Sequence, residues 1–497
     1  MLDFDGIIFT DSGAYQIWQY GDVEVSNEEV VRFQNEIGSD IGTFLDIPMP
    51  HTISIGEARR GVKLTIERAK QCKKLAEGSK TLWLATVQGS VYSNLVKKCA
   101  KEISKLDFDY YGCGSLKIAT DEWRFKEQID YLMTSHFYLP VGKPKHFWGI
   151  GHPAVFALFV ALGWDTFDSA SYVLYAEDYR YMTVEGTLRL NNMEELPCDC
   201  PICSNYSLEE IKKLPKDDVI KLLAEHNLWV ILTEIRRIRE AIREGSLWEL
   251  VQQRVRTHPR LQEALFYALK KYGDYIEEFD PVTKPSAFFY SGPESNYRPE
   301  VLRAKKWLKR VKAKRFFFKK PFGSVPIGLK YVYPFGQSMI PGEEEVKDEP
   351  TDEEQIKQTI EFLFGEDASR YFEDIGVTRS KNTGMIRKVF VKGKFVGSIR
   401  PSDGFFIPNI NGARLLLKAS DYPKNRVVIT DDAALFVSKG RSVFTKFIID
   451  MDEDLRPYQE VLIVDKNDKL VATGKLLLNP REVKEFKNHI AVKVRHH

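Results

Sequence analysis

Cysteine is scarce in this chain, with six among 497 residues, and so thin a supply excludes a disulfide scaffold. Long apolar runs are missing too. None approaches the ~18 residues that a membrane-crossing helix requires, so no membrane association is expected. Charge of one sign is also lacking: the formal net charge is +2, a sum that says nothing about partners until its distribution is read. No glycine-rich turn of the dinucleotide-binding type follows a candidate strand, and no internal repeat is found. The opening residues, MLDFDGIIFTDSG, carry no basic leader and no cleavage pattern and read as the middle of a domain.

What is present is a globular composition, 43% hydrophobic and 29% charged, with length for roughly three or four domains. The charge is blocked. Residues 301–320 carry ten Lys or Arg and no acid, together with Trp307, Phe316, Phe317 and Phe318, whereas residues 343–354 are strongly acidic. A basic block with rings suits RNA, because cations meet phosphates and rings stack on bases. The plainer alternative is a solvated helix face followed by a strand. Arg236, Arg239 and Arg243 share one face at helical spacing, as a second RNA contact or as an outer face.

The first 175 residues alternate strand and helix. Candidate strands are 4–10, 40–47, 81–88, 107–114, 146–150 and 165–169, and candidate helices include 54–76, 91–106 and 123–137. Such alternation implies a parallel sheet with right-handed crossovers. An open doubly wound sheet and a closed barrel both fit. The polar residues favour the barrel: Asp11 follows IIFT, Asp46 follows GTFL, Gln88 follows LATV and Asp168 follows WDTF. Each stands at the C-terminal end of an apolar strand, and a barrel gathers those ends on its active face. Helix N-caps would account for one such residue more easily than for four. Carboxylates gathered at one mouth suit acid–base and nucleophilic work at a glycosidic carbon, sugar hydrolysis included. The expected fold is therefore α/β, a (β/α)8 TIM-type barrel with a metal-binding subdomain over 1–275. A connecting segment (276–345), a small α+β domain (346–423) and a β-rich module (424–497) follow. Six candidate strands fall short of eight, so two N-terminal strands are expected to be missing. An upstream start, a short companion chain from a split gene, or a silent truncated paralogue would each explain this.

Cys198-Asp-Cys200-Pro-Ile-Cys203 with His226 downstream offers three thiolates and an imidazole, a closed tetrahedral zinc set. Four protein ligands leave no open position, so one structural zinc (Zn2+) per chain is expected, in a reducing, cytoplasmic compartment. His146 and His152 are alternative fourth ligands. Cys72, Cys99 and Cys113 are scattered and expected to be buried and inert.

These segments together resemble one family. Asp11-Ser-Gly-Ala-Tyr-Gln16 resembles the DSGG(F/Y)Q signature of tRNA-guanine transglycosylases, with Ala14 a mild departure. The segment from Gly38 to Asp46-Ile-Pro resembles the family's G-x-D-I…D stretch, Val87-Gln88-Gly89 its VQG, and Phe167-Asp168-Ser its FD(C/S) nucleophile segment. Tyr111-Gly-Cys-Gly114-Ser115 stands where the family has a base-binding loop, and the three-cysteine cluster resembles its zinc site. The order is the family's own over about residues 1–230. The last module resembles a PUA domain, which points to the archaeal branch. The resemblance implies exchange of guanine 15 in the D arm of tRNA for 7-cyano-7-deazaguanine, on the way to archaeosine. Asp168 would be the nucleophile and Asp11 the proton carrier, or the two roles reversed. Asp46, Gln88, Gly114 and Ser115 would bind the base and Tyr15 would stack on it. The partners implied are tRNA and the deazaguanine, with a second copy of the chain a candidate. Two other readings are the paralogous archaeosine synthase and a silent tRNA-binding subunit.

Overall fold

The computed structural model describes residues 4–16, 25–114, 116 and 122–497. Ser115, expected at the base-binding loop, lies outside the described residues. The chain divides into two compact units, one of residues 1–243 and 250–268, the other of 244–249 and 269–497.

The first unit alternates helix and strand: α1 (Asn27–Glu36), β1 (Ile41–Thr43), α2 (Ile55–Leu75), β2 (Leu82–Val87), α3 (Ser93–Ser104), β3 (Tyr110–Gly114), α4 (Phe125–Tyr138), β4 (Lys145–Trp148), α5 (Pro153–Ala161) and β5 (Thr166–Phe167). The strands lie in the order β1-β2-β3-β4-β5, every pair parallel. The first expected strand is present as a parallel bridge between Phe9 and Ile41. Local chemistry explains the alternation. Ser54 and Glu57 form a reciprocal cap at the start of α2, and its small and apolar positions Ala58, Val62, Ile66 and Ala69 are buried on one stripe. β2, LWLATV, is buried along nearly its whole length, as a strand covered on both faces must be. The sheet curls into a half-barrel. Phe9 pairs at the β1 edge, yet its ring lies 5.3 Å from His146 and 5.2 Å from Trp148 on β4, a contact made across the concave interior.

Next come α6 (Ser171–Glu177), the hairpin β6 (Arg180–Met182) and β7 (Thr187–Arg189), α7 (Pro201–Asn205), α8 (Leu208–Lys213) and the long α9 (Lys216–Glu244). Tyr181, Leu190, Leu208 and Leu223 are among the residues of this subdomain's own core. Helices α10 (Leu247–Val255) and α11 (Pro259–Phe279) contribute to both units. No helix among the described residues is long and apolar enough to cross a membrane.

In the second unit, β8 (Phe288–Phe289) and α12 (Pro299–Leu308) precede the hairpin β9 (Phe316–Lys319) and β10 (Gly323–Pro326), and β11 (Ser338–Met339) returns to pair with β8. Helix α13 (Asp352–Phe364), an antiparallel sheet of β12 (Ile375–Arg379), β13 (Ile386–Val391), β14 (Lys394–Ile399) and β15 (Phe406–Pro408), and α14 (Ile410–Ala419) follow. The chain ends in a six-stranded sheet that includes β16 (Arg426–Ile429) and β17 (Glu460–Val464). The basic block is only partly a surface. Helical spacing turns Val301, Ala304 and Trp307 into the core, so Trp307 cannot stack on RNA. Arg303 is buried against Asp280, 2.9 Å away. Phe316 and Phe318 do remain exposed.

The terminal sheet does not stand apart from the domain before it. Leu462 belongs to the core that also holds Phe364 and Phe406, and the Asn425 side chain donates to the Phe364 carbonyl at 2.6 Å. Deleting residues 425–497 should therefore expose the core beneath α13 as well as remove a surface. Limited proteolysis is expected to cut within residues 354–423 of the deletion variant and spare them in the full chain; equal resistance would contradict this packing.

Candidate active site and metal centre

Parallel strands deliver their C-terminal ends to one rim, and the chain places a polar side chain at four of them. Asp11 follows the Phe9 bridge, Asp46 follows β1, Gln88 follows β2, Gly114 ends β3, and Asp168 follows β5. Gln88 and Asp46 are buried, and Gln88 Nε2 donates to Asp46 Oδ2 at 2.6 Å. The glycine after Gln88 is required by space: a Cβ on Gly89 would come within 2.5 Å of the Val96 nitrogen. Tyr15 is half-exposed at the rim.

Asp11 senses the charge of Asp168, and Asp46 senses that of Asp11. Burial pushes Asp46 up to about 7, with the Gln88 bond opposing and the Asp11 charge adding. Asp11 is exposed yet has much protein around it. Desolvation raises its pKa first, the Ser12 amide opposes, and the neighbouring Asp168 raises it further. The mouth thus holds two carboxyls pushed toward their protonated form, the arrangement from which acid–base work is built.

Asp168 is held differently. Its Oδ1 lies 3.1 Å from His146 Nε2 and accepts from the Gly149 amide at 2.9 Å. Gly149 has φ +75°, a conformation in which a side chain is strained, so a glycine there lets the amide turn toward Asp168. The β4–β5 register sets His146 opposite Thr166, and His146 Nδ1 lies 2.8 Å from the Thr166 hydroxyl. Sequence reasoning weighed His146 only as a metal ligand. It also passed over Trp148, whose ring meets His146 edge-on at 4.2 Å. The available signal was the same as for the carboxylates, since the HFWG run ends at the rim.

A second centre lies in the subdomain after β5. The ligand atoms of Cys198, Cys200, Cys203 and His226 lie within 4.8 Å of one another and could hold a metal ion. Cys200 Sγ and Cys203 Sγ are 3.3 and 3.5 Å from His226 Nδ1. The other ring nitrogen, Nε2, bonds to the Met182 carbonyl at 2.9 Å, which leaves Nδ1 with its lone pair toward the sulfurs. Tyr181 stacks on the His226 ring at 3.7 Å. Of the alternative ligands, His146 is at the rim, and His152 caps α5 through its Nδ1. The remaining cysteines, Cys72, Cys99 and Cys113, are buried, and burial pushes each thiol up to about 12. They stay protonated and inert.

Comparison with known proteins bears on both centres. Residues 1–260 match the model of the queuine tRNA-ribosyltransferase family. Residues 354–423 match the patch-forming domain C2 of tRNA-guanine transglycosylase, and residues 425–497 match the PUA domain. The whole chain aligns with proteins named tRNA-guanine(15) transglycosylase. It is 47% identical to that of Korarchaeum cryptofilum, covering 84% of that protein. It is 44% identical to that of Thermococcus kodakarensis, covering 85%, and 45% identical to that of Pyrococcus furiosus, covering 84%.

Proposed function

The chain belongs to the queuine tRNA-ribosyltransferase family, the tRNA-guanine transglycosylases, and on that footing we propose that it exchanges guanine 15 of tRNA for 7-cyano-7-deazaguanine. The observation that carries this reading is the contrast between two neighbouring carboxylates. Asp168 is fixed through one oxygen by two donors, and Asp11 is pushed toward holding a proton. Both donors take Oδ1 of Asp168, so Oδ2 is the oxygen for attack on ribose C1′. The new O–C1′ bond forms as the C1′–N9 bond breaks. The electron pair passes to the departing guanine, which takes a proton from Asp11. In the return half, the entering base gives its own ring N–H proton to Asp11 as its nitrogen attacks C1′ and the Asp168 oxygen leaves. One glycosidic bond replaces another, so no nucleotide hydrolysis is required.

Asp46 supplies base selection. An ionised carboxylate accepts in two places, which matches the adjacent ring N–H and amino donors of a guanine-like edge. Gln88 and the backbone at Gly114 face the carbonyl, and Tyr15 stacks from the rim. A silent tRNA-binding subunit would have no use for three carboxylates at one mouth. The test is incorporation of labelled guanine into tRNA. Label should enter tRNA with guanine 15 and not tRNA in which that base is adenine; equal labelling of both would contradict the assignment.

The Cys3His cluster fits one structural zinc, because soft thiolates and a neutral imidazole suit that ion and no ligand position is left open. Bound there, zinc would tie the segment around α7 to α9, and its contribution would be to the fold of the subdomain. 

Replacing Cys200 with alanine should therefore lower the zinc content to well below one per chain and reduce the melting temperature of the first unit. Metal analysis of freshly purified protein checks the first outcome, and protein free of zinc would contradict the assignment.

A further inference from the structure

Asp168 is the visible end of a longer chain of hydrogen bonds. Behind it stands His146, behind His146 the Thr166 hydroxyl, and behind that the Tyr110 hydroxyl, which bonds to Thr166. Strand period sets this up, with Tyr110 on β3 and His146 on β4 turned to the concave side, where the Phe9 ring touches both. The ends of the chain decide its direction. An ionised Asp168 can only accept, so His146 Nε2 carries the proton. With that proton on Nε2, Nδ1 is the ring's acceptor toward the Thr166 hydroxyl, and Thr166 in turn accepts from Tyr110. The His146 ring is buried and meets Phe9 and Trp148 edge-on, at 5.3 and 4.2 Å between ring centres. Its orientation is therefore set by packing as well as by bonding.

We infer that His146, oriented by Thr166 and Tyr110, is a positioning residue for the nucleophile. Its Nε2–H holds Oδ1 of Asp168 so that Oδ2 faces C1′, and it steadies the carboxylate each time the ester bond opens. This rests on Asp168 being the nucleophile, as proposed above. The role differs from filling the interior, because it depends on one donor atom at one place. An error of about 1 Å in such placement costs on the order of 100-fold in rate.

The test measures labelled-guanine exchange and single-turnover formation of the covalent RNA adduct with the full chain. His146→Ala should slow adduct formation by about 100-fold, with the KM for guanine and the tRNA affinity within about threefold of the parent. His146→Gln presents an amide N–H to Asp168 and should recover at least about tenfold of that loss. Thr166→Val removes the partner of Nδ1 and should slow the step by about tenfold, whereas Thr166→Ser keeps the hydroxyl and should leave the rate near that of the parent. Tyr110→Phe should have the smallest effect. A parent-like adduct rate in His146→Ala would overturn the inference, as would a glutamine variant no faster than the alanine one. Should His146→Ala fail to fold, the two Thr166 variants decide alone, and equal rates for them overturn it. Full exchange by Asp168→Ala would instead sink the reading on which the inference stands.

Discussion

Replacing Asp168 with alanine is expected to abolish base exchange, lowering its rate on the order of 10⁴-fold or more, while tRNA affinity changes by less than about threefold. The two readouts separate because they draw on different forces. Affinity for tRNA comes largely from cations facing phosphates, and Asp168 carries the opposite charge. Exchange needs an oxygen that attacks C1′, and alanine has none. Asp168 is half-exposed at the rim, and its hydrogen-bond partners there are a ring nitrogen and an amide that water can satisfy in its place. The variant should therefore fold. Denaturing gels of parent enzyme mixed with tRNA should show a slow-migrating RNA adduct, absent from Asp168→Ala. Parent-like exchange by the variant would remove Asp168 from the mechanism.

The second large effect is a conflict between function and stability at Asp46. Burial raises this carboxyl from 3.8 to about 7, so the folded chain prefers its neutral form. The contribution to stability is favourable below the unfolded pKa and is lost as pH rises through about 7. Above that pH the ionised group costs on the order of a few kcal/mol. Asp46→Asn should thus melt at a higher temperature than the parent at pH 8 and show little difference at pH 4. Base binding should move the other way. Asparagine sets an N–H₂ against the donors of the guanine edge, and a site left with opposed donors loses affinity steeply. The KM for guanine should rise by roughly 1000-fold. In the parent it should rise as pH falls below about 7, where Asp46 takes up its proton. A variant that is both less stable at pH 8 and equally able to bind guanine would contradict this account.

Much of this site was legible before any fold was known, because parallel strands make a simple promise. A polar residue directly after an apolar strand lands on the same rim as its counterparts. That rule alone located Asp11, Asp46, Gln88 and Asp168. The metal centre was legible for a different reason, since thiolates two and three residues apart are already neighbours. The fold gathers His226 with the three cysteines, while the register turns His146 toward Asp168 and His152 is occupied in capping α5. The chain behind Asp168 could not be read in advance. Tyr110, His146 and Thr166 lie on three strands, and only the pairing of β3, β4 and β5 brings them together. Trp307 misled for a related reason. Its basic neighbours advertise a surface, while the helical period turns the ring itself inward.

The most direct measurement is the mass of the peptide that carries the RNA. Enzyme and tRNA are mixed without free base, denatured, and digested with protease and nuclease. The account predicts a ribonucleotide remnant on the peptide containing Asp168, at C1′, and an unmodified peptide containing Asp11. The remnant on the Asp11 peptide, or no remnant while exchange proceeds at its full rate, would contradict it.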